Sequence, residues 1–298
     1  MIVVKLTGGL GNQMFQYAAA RRLADFHKTE LKLDITFLEG PQTNYTPRVY
    51  ELGKYNVSAT IATRPEIARL SRHIYNPLAG YLHNFRKMCG FARNLPHYLQ
   101  ERHFHFDPSI LSAPDNTYLD GYWQSEKYFC DIGDTLRREF TLKAPQSSPA
   151  SRLAERITGE NAVSIHIRRG DYVHSKVASD AHGLCSMDYY LKCAALMVKK
   201  LGNPSFYVFS DDMAWVHESF RLPSQMTLVD TGATPQEELL LMSRCKHHII
   251  ANSSFSWWGA WLGTNPDKTV FAPAKWFDKL DANTEDLLPL SWTRVGDP

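Results

Sequence analysis

Long apolar runs are missing from this 298-residue chain: none approaches the ~18 residues of a membrane-crossing helix. The opening Met1-Ile2-Val3-Val4-Lys5-Leu6 lacks a basic region, and its apolar stretch is too short for a secretory leader. Cysteine is scarce. The five residues Cys89, Cys130, Cys185, Cys193 and Cys245 are odd in number and show no CxxC spacing. That argues against a disulfide framework or a zinc site and for a reducing, cytoplasmic compartment. There is no P-loop, no GxSxG elbow and no HExxH, so several hydrolase readings fall away. Charge of one sign is absent too. Lys and Arg number 33 against 31 Asp and Glu, a net +2, which gives no footprint for a nucleic-acid partner.

What is present is ordinary globular material, with 44% apolar and 21% charged residues. The length predicts about two domains, and such a chain buries ~75% of its unfolded surface without staples. Aromatics reach 12%, which suits a protein handling sugars or bases and suits plain core packing equally.

A β-branched run at 2–6 leads into Gly8-Gly9-Leu10-Gly11-Asn12-Gln13. Phe15, Ala18, Ala19, Leu23 and Phe26 then mark one face of a helix, and 31–35 reads as the next strand. Residues 41–117 are broken by seven prolines, and the aromatic stretch 118–129 is expected to return to the sheet. The polar segment 143–149 reads as a linker, dividing the chain into domains 1–145 and 150–298. In the second half, apolar runs at 162–167, 205–209, 227–229, 248–251 and 269–272 alternate with helical patterns. That is the signature of an α/β fold with a parallel sheet covered on both faces.

Four segments carry candidate chemistry. The glycine turn nearly matches a dinucleotide fingerprint, but Met14 stands where the third glycine belongs, and Asp34 is the only acid at a suitable distance. Either it is a tight turn needing φ > 0, or Gly9 and Gly11 admit a ligand to the backbone beside Asn12. The second segment places His166 and Arg168 on one face of a strand that breaks at Gly170. Arg168 is thereby carried to where an anion sits beyond a parallel sheet, unless it merely pairs with Asp171. In the third, a strand ends in Asn252-Ser253-Ser254 and a helix follows; its start caps the helix or binds phosphate. In the fourth, Thr234, Pro235 and Glu237 form a capping box, which accounts for Glu237 and leaves Glu238 to complement the dipole or to accept hydrogen bonds from guanine. Asp211-Asp212 has the look of a metal-binding pair, but no third ligand accompanies it, and no metal is expected.

With those residues in view, the chain resembles the bacterial α-1,2-fucosyltransferases of glycosyltransferase family 11. The carriers are Gly8-Gly9-Leu10-Gly11-Asn12-Gln13-Met14-Phe15, Gly121-Tyr122-Trp123-Gln124-Ser125-Glu126-Lys127-Tyr128-Phe129, His166-Ile167-Arg168-Arg169-Gly170-Asp171-Tyr172, Phe209-Ser210-Asp211-Asp212 and the stretch 252–258. The resemblance implies a GT-B fold, two Rossmann-like domains facing across a cleft, with GDP-β-L-fucose held mainly by the second. It further implies Arg168 on the diphosphate, His166 near the guanosine, Glu238 on guanine, Ser253, Ser254 and Phe255 on phosphate, and Asn12 facing the donor. The expected reaction is inverting and metal-free, fucose passing to the 2-hydroxyl of a galactose-containing acceptor. Related α-1,6 enzymes carry a Glu where this chain has Lys176, so the base falls to Asp171, with His182 behind it. Other GDP-sugar transferases and a non-catalytic nucleotide-sugar binding module are the competing readings.

Residues 64–105 hold seven Lys or Arg (Arg64, Arg69, Arg72, Arg86, Lys87, Arg93, Arg102) against Glu66 and Glu101. This is either a solvated helical face or a surface meeting membrane lipid or a lipid-linked acceptor.

Overall fold

The computed structural model describes residues 1–42, 46–75, 97–170, 183–279 and 282–296. They form two compact units, Met1–Phe140 with Glu285–Leu287, and Thr141–Thr284 with Leu288–Pro298. Among the described residues, no helix is long and apolar enough to cross a membrane.

The first unit is built on five parallel strands: β1 (Ile2–Lys5), β2 (Leu31–Asp34), β3 (Thr60–Ile61), β4 (Tyr98–Gln100) and β5 (Tyr118–Asp120). Their order is β3-β2-β1-β5-β4. The helix Leu10–His27 links β1 to β2 and ends at Lys28, whose φ of 51° closes it with N–H bonds to Ala24 and Asp25. The 3.6-residue spacing foretells one buried face, but Gln13, Gln16, Tyr17 and Ala20 are buried as well, so the helix is covered on several sides. The helix Arg64–Tyr75 sets Ile67 and Leu70 against Val3, Tyr98 and Tyr118.

The second unit has six parallel strands: β6 (Ala162–Ile167), β7 (Ser205–Ser210), β8 (Met226–Leu228), β9 (His247–Ile249), β10 (Val270–Pro273) and β11 (Thr293–Val295). They run in the order β11-β10-β9-β6-β7-β8. Val163, Ile165 and Ile167 pack on the helix Met187–Leu201 through Tyr189, Tyr190, Cys193 and Met197. Ala162, Tyr207 and Phe209 meet the helices Ser148–Gly159 and Pro235–Arg244 from the other side. Strand β6 is buried along its whole length, as a central strand covered on both faces must be. Two parallel α/β sheets, one in each unit, constitute the GT-B class of architecture that the sequence implies.

Three strands escape the sequence pattern. β3 and β4 are two and three residues long within the proline-broken region, and β11 is a half-exposed edge. The stretch 118–129 contributes only three residues to the sheet. Trp123, at φ 56°, turns the chain away, and a 3-10 turn at Glu126–Tyr128 follows.

Candidate functional site

In an open parallel sheet, ligands bind beyond the carboxyl ends of the strands, where the strand order reverses. In the second unit the chain runs β6, β7, β8 to one side, then starts again at β9 on the other side of β6. The reversal therefore lies between β6 and β9, where 168–170 leave one strand and 252–254 leave the other.

Arg168 leaves β6 half-buried and ion-paired, Nη1 to Asp211 Oδ2 at 2.8 Å. Its partner is thus Asp211, at the end of the neighbouring strand β7. Asp171, the other partner considered, lies outside the described residues, as does His182. The second oxygen of Asp211 accepts from the Arg169 amide at 2.8 Å. A Cβ at Gly170 would stand 2.4 Å from Asp211 Oδ2, so only glycine lets the two loops close together. Burial alone would raise the Asp211 carboxyl, but Arg168 and the Arg169 amide outweigh it and hold it below the usual range.

Arg169 is used differently. Its Nε lies 3.4 Å from Asp212, and its guanidinium sits 3.9 Å over the Trp215 ring. Asp212 also caps the helix Met213–Ser219 by accepting from the Trp215 amide. The acidic pair is thus spent on two arginines and a cap. Among the described residues, no group of three or more His, Cys, Asp or Glu could hold a metal ion.

His166 points into the same place. It is 3% exposed, its ring centroid lies 5.5 Å from that of Phe255, and its Nδ1 has no hydrogen-bond partner among the described residues. Burial, helped by the Arg168 charge and opposed by Asp211, pushes its pKa down to about 4. The imidazole is neutral at pH 7, a buried polar group awaiting a partner. Glu238 shares the field of Asp211. Burial first, then Asp211 and Asp230, push its carboxyl up to about 7. Glu237, beside it, is consumed by the capping box with Thr234 and by the Ser147 amide.

The helix Ser254–Leu262 departs from expectation. Neither Asn252 nor either serine caps it by a side-chain hydrogen bond. Ser253 is buried in extended backbone, and Ser254 and Phe255 form the first turn, whose amides carry no side-chain cap. Asn252 is committed elsewhere: Nδ2 donates to the carbonyls of Trp276 at 3.1 Å and Gly183 at 3.3 Å, and Oδ1 accepts from Cys185 Sγ. It holds chain segments rather than presenting an amide. Trp257, Trp258 and Trp261 pack on one another, with Trp292 against Trp257, as core.

The glycine turn lies at the reversal of the first sheet, between β1 and β5. Gly8 takes φ 72° and packs against Asn12; Gly9 is extended, and Gly11 is buried in the first turn of the helix. The buried Gln13 donates to the carbonyls of Gly8 and Val49 and accepts from the Glu51 amide. Gln16 takes both polar groups of Thr7. Asn12 Oδ1 accepts from Gln124 Nε2 at 2.8 Å, joining the two loops of the reversal. Asp34 is buried and holds Thr36 and the Tyr118 hydroxyl, so it has no surface for a ribose.

Of the basic stretch 64–105, residues 76–96 lie outside the described residues, Arg86, Lys87 and Arg93 among them. Arg69 donates to Asn116, and Glu66 is ion-paired with Lys32. Sequence reading missed Asp211 as the partner of Arg168. The available signal was the matched pattern of Arg-Arg after one buried strand and Asp-Asp after the next.

The family model for glycosyl transferase family 11 matches residues 83–295. An α-1,2-colitosyltransferase of Escherichia coli is 34% identical over 99% of both chains. The chain belongs to glycosyltransferase family 11. A second relative in this family comparison, the Escherichia coli O-antigen biosynthesis glycosyltransferase WbnK, is 33% identical over 91% of this chain and 93% of its own. Among solved structures, a mutant of Arabidopsis thaliana FUT1 in complex with GDP superposes with a TM-score of 0.50 at 12% identity, covering 88% of this chain and 68% of that one; it speaks to the fold. The family 11 member is thus a sugar-transferring enzyme related to α-1,2-specific transferases.

Proposed function

We propose that this enzyme transfers L-fucose from GDP-β-L-fucose to the 2-hydroxyl of a galactoside, with inversion to an α-1,2 linkage. One observation carries the reading: Arg168, a His166 Nδ1 without a hydrogen-bond partner among the described residues, and the start of the helix Ser254–Leu262, which no side chain caps, lie together at one sheet reversal. As the glycosidic bond breaks, negative charge grows on the β-phosphate. A guanidinium and the first amides of a helix, fixed in advance, stabilise that charge more than they stabilise the ground state. Glu238 as a carboxylate accepts from N1–H and N2–H of guanine, a pair adenine lacks. Asn12, Gly9 and Gly11 are assigned to the donor as well. The acceptor proton passes to Asp171, with His182 as the second candidate, and no divalent metal takes part.

Calorimetry with GDP, UDP and ADP tests the donor half. GDP is expected to bind best, and a preference for ADP would remove Glu238 from its role. Release of GDP from GDP-fucose on addition of lactose, with linkage analysis of the product, tests the transfer itself. A binding module would hold GDP without releasing it. The similarity to the α-1,2-colitosyltransferase favours a second reading, in which the sugar transferred is colitose, which is fucose without its 3-hydroxyl. A site that hydrogen-bonds that hydroxyl discriminates strongly, and an apolar one weakly. Competition between the two donors decides which kind of site this is.

A further inference from the structure

The reversal of the first sheet carries a second construction that the donor reading does not use. β4 and β5 are parallel neighbours, and Glu101 follows one as Gly121, Tyr122 and Trp123 follow the other. The Glu101 carboxylate accepts from the amides of Tyr122 at 2.7 Å and Trp123 at 3.0 Å, one on each oxygen. A Cβ at Gly121 would come 2.4 Å from Glu101 Cβ, so the loop closes only over glycine. Trp123 adopts a left-handed backbone at φ 56°, which a bulky residue takes only where its surroundings enforce it. Its indole Nε1 is buried with no hydrogen-bond partner among the described residues. The next residue, Gln124, ties the loop to Asn12. Tyr122 is left 42% exposed at the carboxyl end of β5, on a loop fixed from both sides.

We propose that this loop is the acceptor subsite and that the Tyr122 ring stacks on the terminal galactose. The inference rests on the glycosyltransferase reading and names the residue that recognises its acceptor. The axial 4-hydroxyl of galactose gathers the C3, C4 and C5 hydrogens into one apolar face, which packs flat on an aromatic ring. In glucose the equatorial 4-hydroxyl interrupts that face. The Glu101 carboxylate holds the loop by accepting from the Tyr122 amide, and the Gln124 side chain holds it from the other side. The backbone that carries the ring is thus fixed before the sugar arrives, which lowers the ordering cost of binding.

Saturation-transfer NMR of the full chain tests the subsite, with methyl β-D-galactopyranoside as probe and methyl β-D-glucopyranoside as control. The wild type is expected to saturate H3, H4 and H5 of the galactoside most strongly, and the glucoside less. Tyr122→Phe keeps this pattern, whereas Tyr122→Ala weakens galactoside binding by about tenfold. Unchanged binding in Tyr122→Ala, no saturation in the wild type, or equal response to the two sugars overturns the proposal. A parallel GDP titration keeps the two claims apart. Loss of GDP binding in the wild type strikes the donor reading, while the galactoside spectra judge the subsite alone.

Discussion

The two sheets end in loops of differing chemistry. Beyond β1 and β5 the loops are drawn together by uncharged amides, Gln13, Gln16 and the Asn12–Gln124 pair, with one ion pair, Lys5–Asp120, at the strand ends. Beyond β6 and β7 it is drawn together by charges: Arg168 with Asp211, and Arg169 with Asp212. Amide bonds are short-ranged and fix shape. Charge pairs at the end of a buried strand also set a field: burial raises the Glu238 pKa and the Asp211 charge adds to it, whereas burial lowers the His166 pKa and the Asp211 charge opposes it. The same topological position is held chiefly by amide hydrogen bonds in one unit and by Arg–Asp pairs in the other.

The contrast breaks most visibly at Arg168. Arg168→Lys keeps a positive charge but loses the two-pronged geometry, and turnover is expected to fall ~10²–10³-fold. Steady-state kinetics at saturating donor check this; near-normal turnover would mean that charge alone suffices. Gly170→Ala strikes the same pair indirectly, because its methyl must displace the Asp211 carboxylate. A loss of about 10-fold in kcat is expected from misplacing a binding group, with circular dichroism showing an intact fold.

Titration sharpens the comparison further. Glu238 sits near pKa 7, so its carboxylate is the majority form only above neutrality. If that form reads guanine, GDP affinity falls as pH drops from 8 to 6, by about tenfold overall. In Glu238→Gln the affinity is lower and this slope disappears. A slope that survives the substitution would place the titrating group elsewhere.

On the amide side the expected effect is on stability. Gln13→Ala leaves the carbonyls of Gly8 and Val49 and the Glu51 amide without the partner that the buried Gln13 side chain supplies. It should cost about 2–3 kcal/mol in denaturant unfolding, with little change in GDP affinity; a large loss of GDP affinity would erase the division of labour. The smallest effect is predicted for EDTA. Chelation should leave turnover unchanged if, as proposed, cationic side chains and helix amides supply the charge stabilisation.

Much of this division was legible in residue order. Alternating apolar runs announced β6 to β10 of the second unit, and Thr234 with Glu237 announced the capping box that singles out Glu238. Short elements were not legible. Two residues of β3 and three of β4 carry no period, and their pairing is imposed by neighbours distant in sequence. Nor was the fate of Asn252. Asn-Ser-Ser before a helix is a capping pattern, yet the amide of Asn252 finds the carbonyls of Trp276 and Gly183 instead, partners that only folding brings near.

By itself, the chain's order of residues determined the alternation of strand and helix, the parallel sheets and the residue types at their carboxyl ends, because burial periodicity and backbone chemistry are local. Tertiary structure alone decided which charges meet. Asp211 stands 43 residues from Arg168 and reaches it because β6 and β7 are parallel neighbours in register. Electrostatics depends on distance in space, and that distance is set by sheet order rather than by sequence separation.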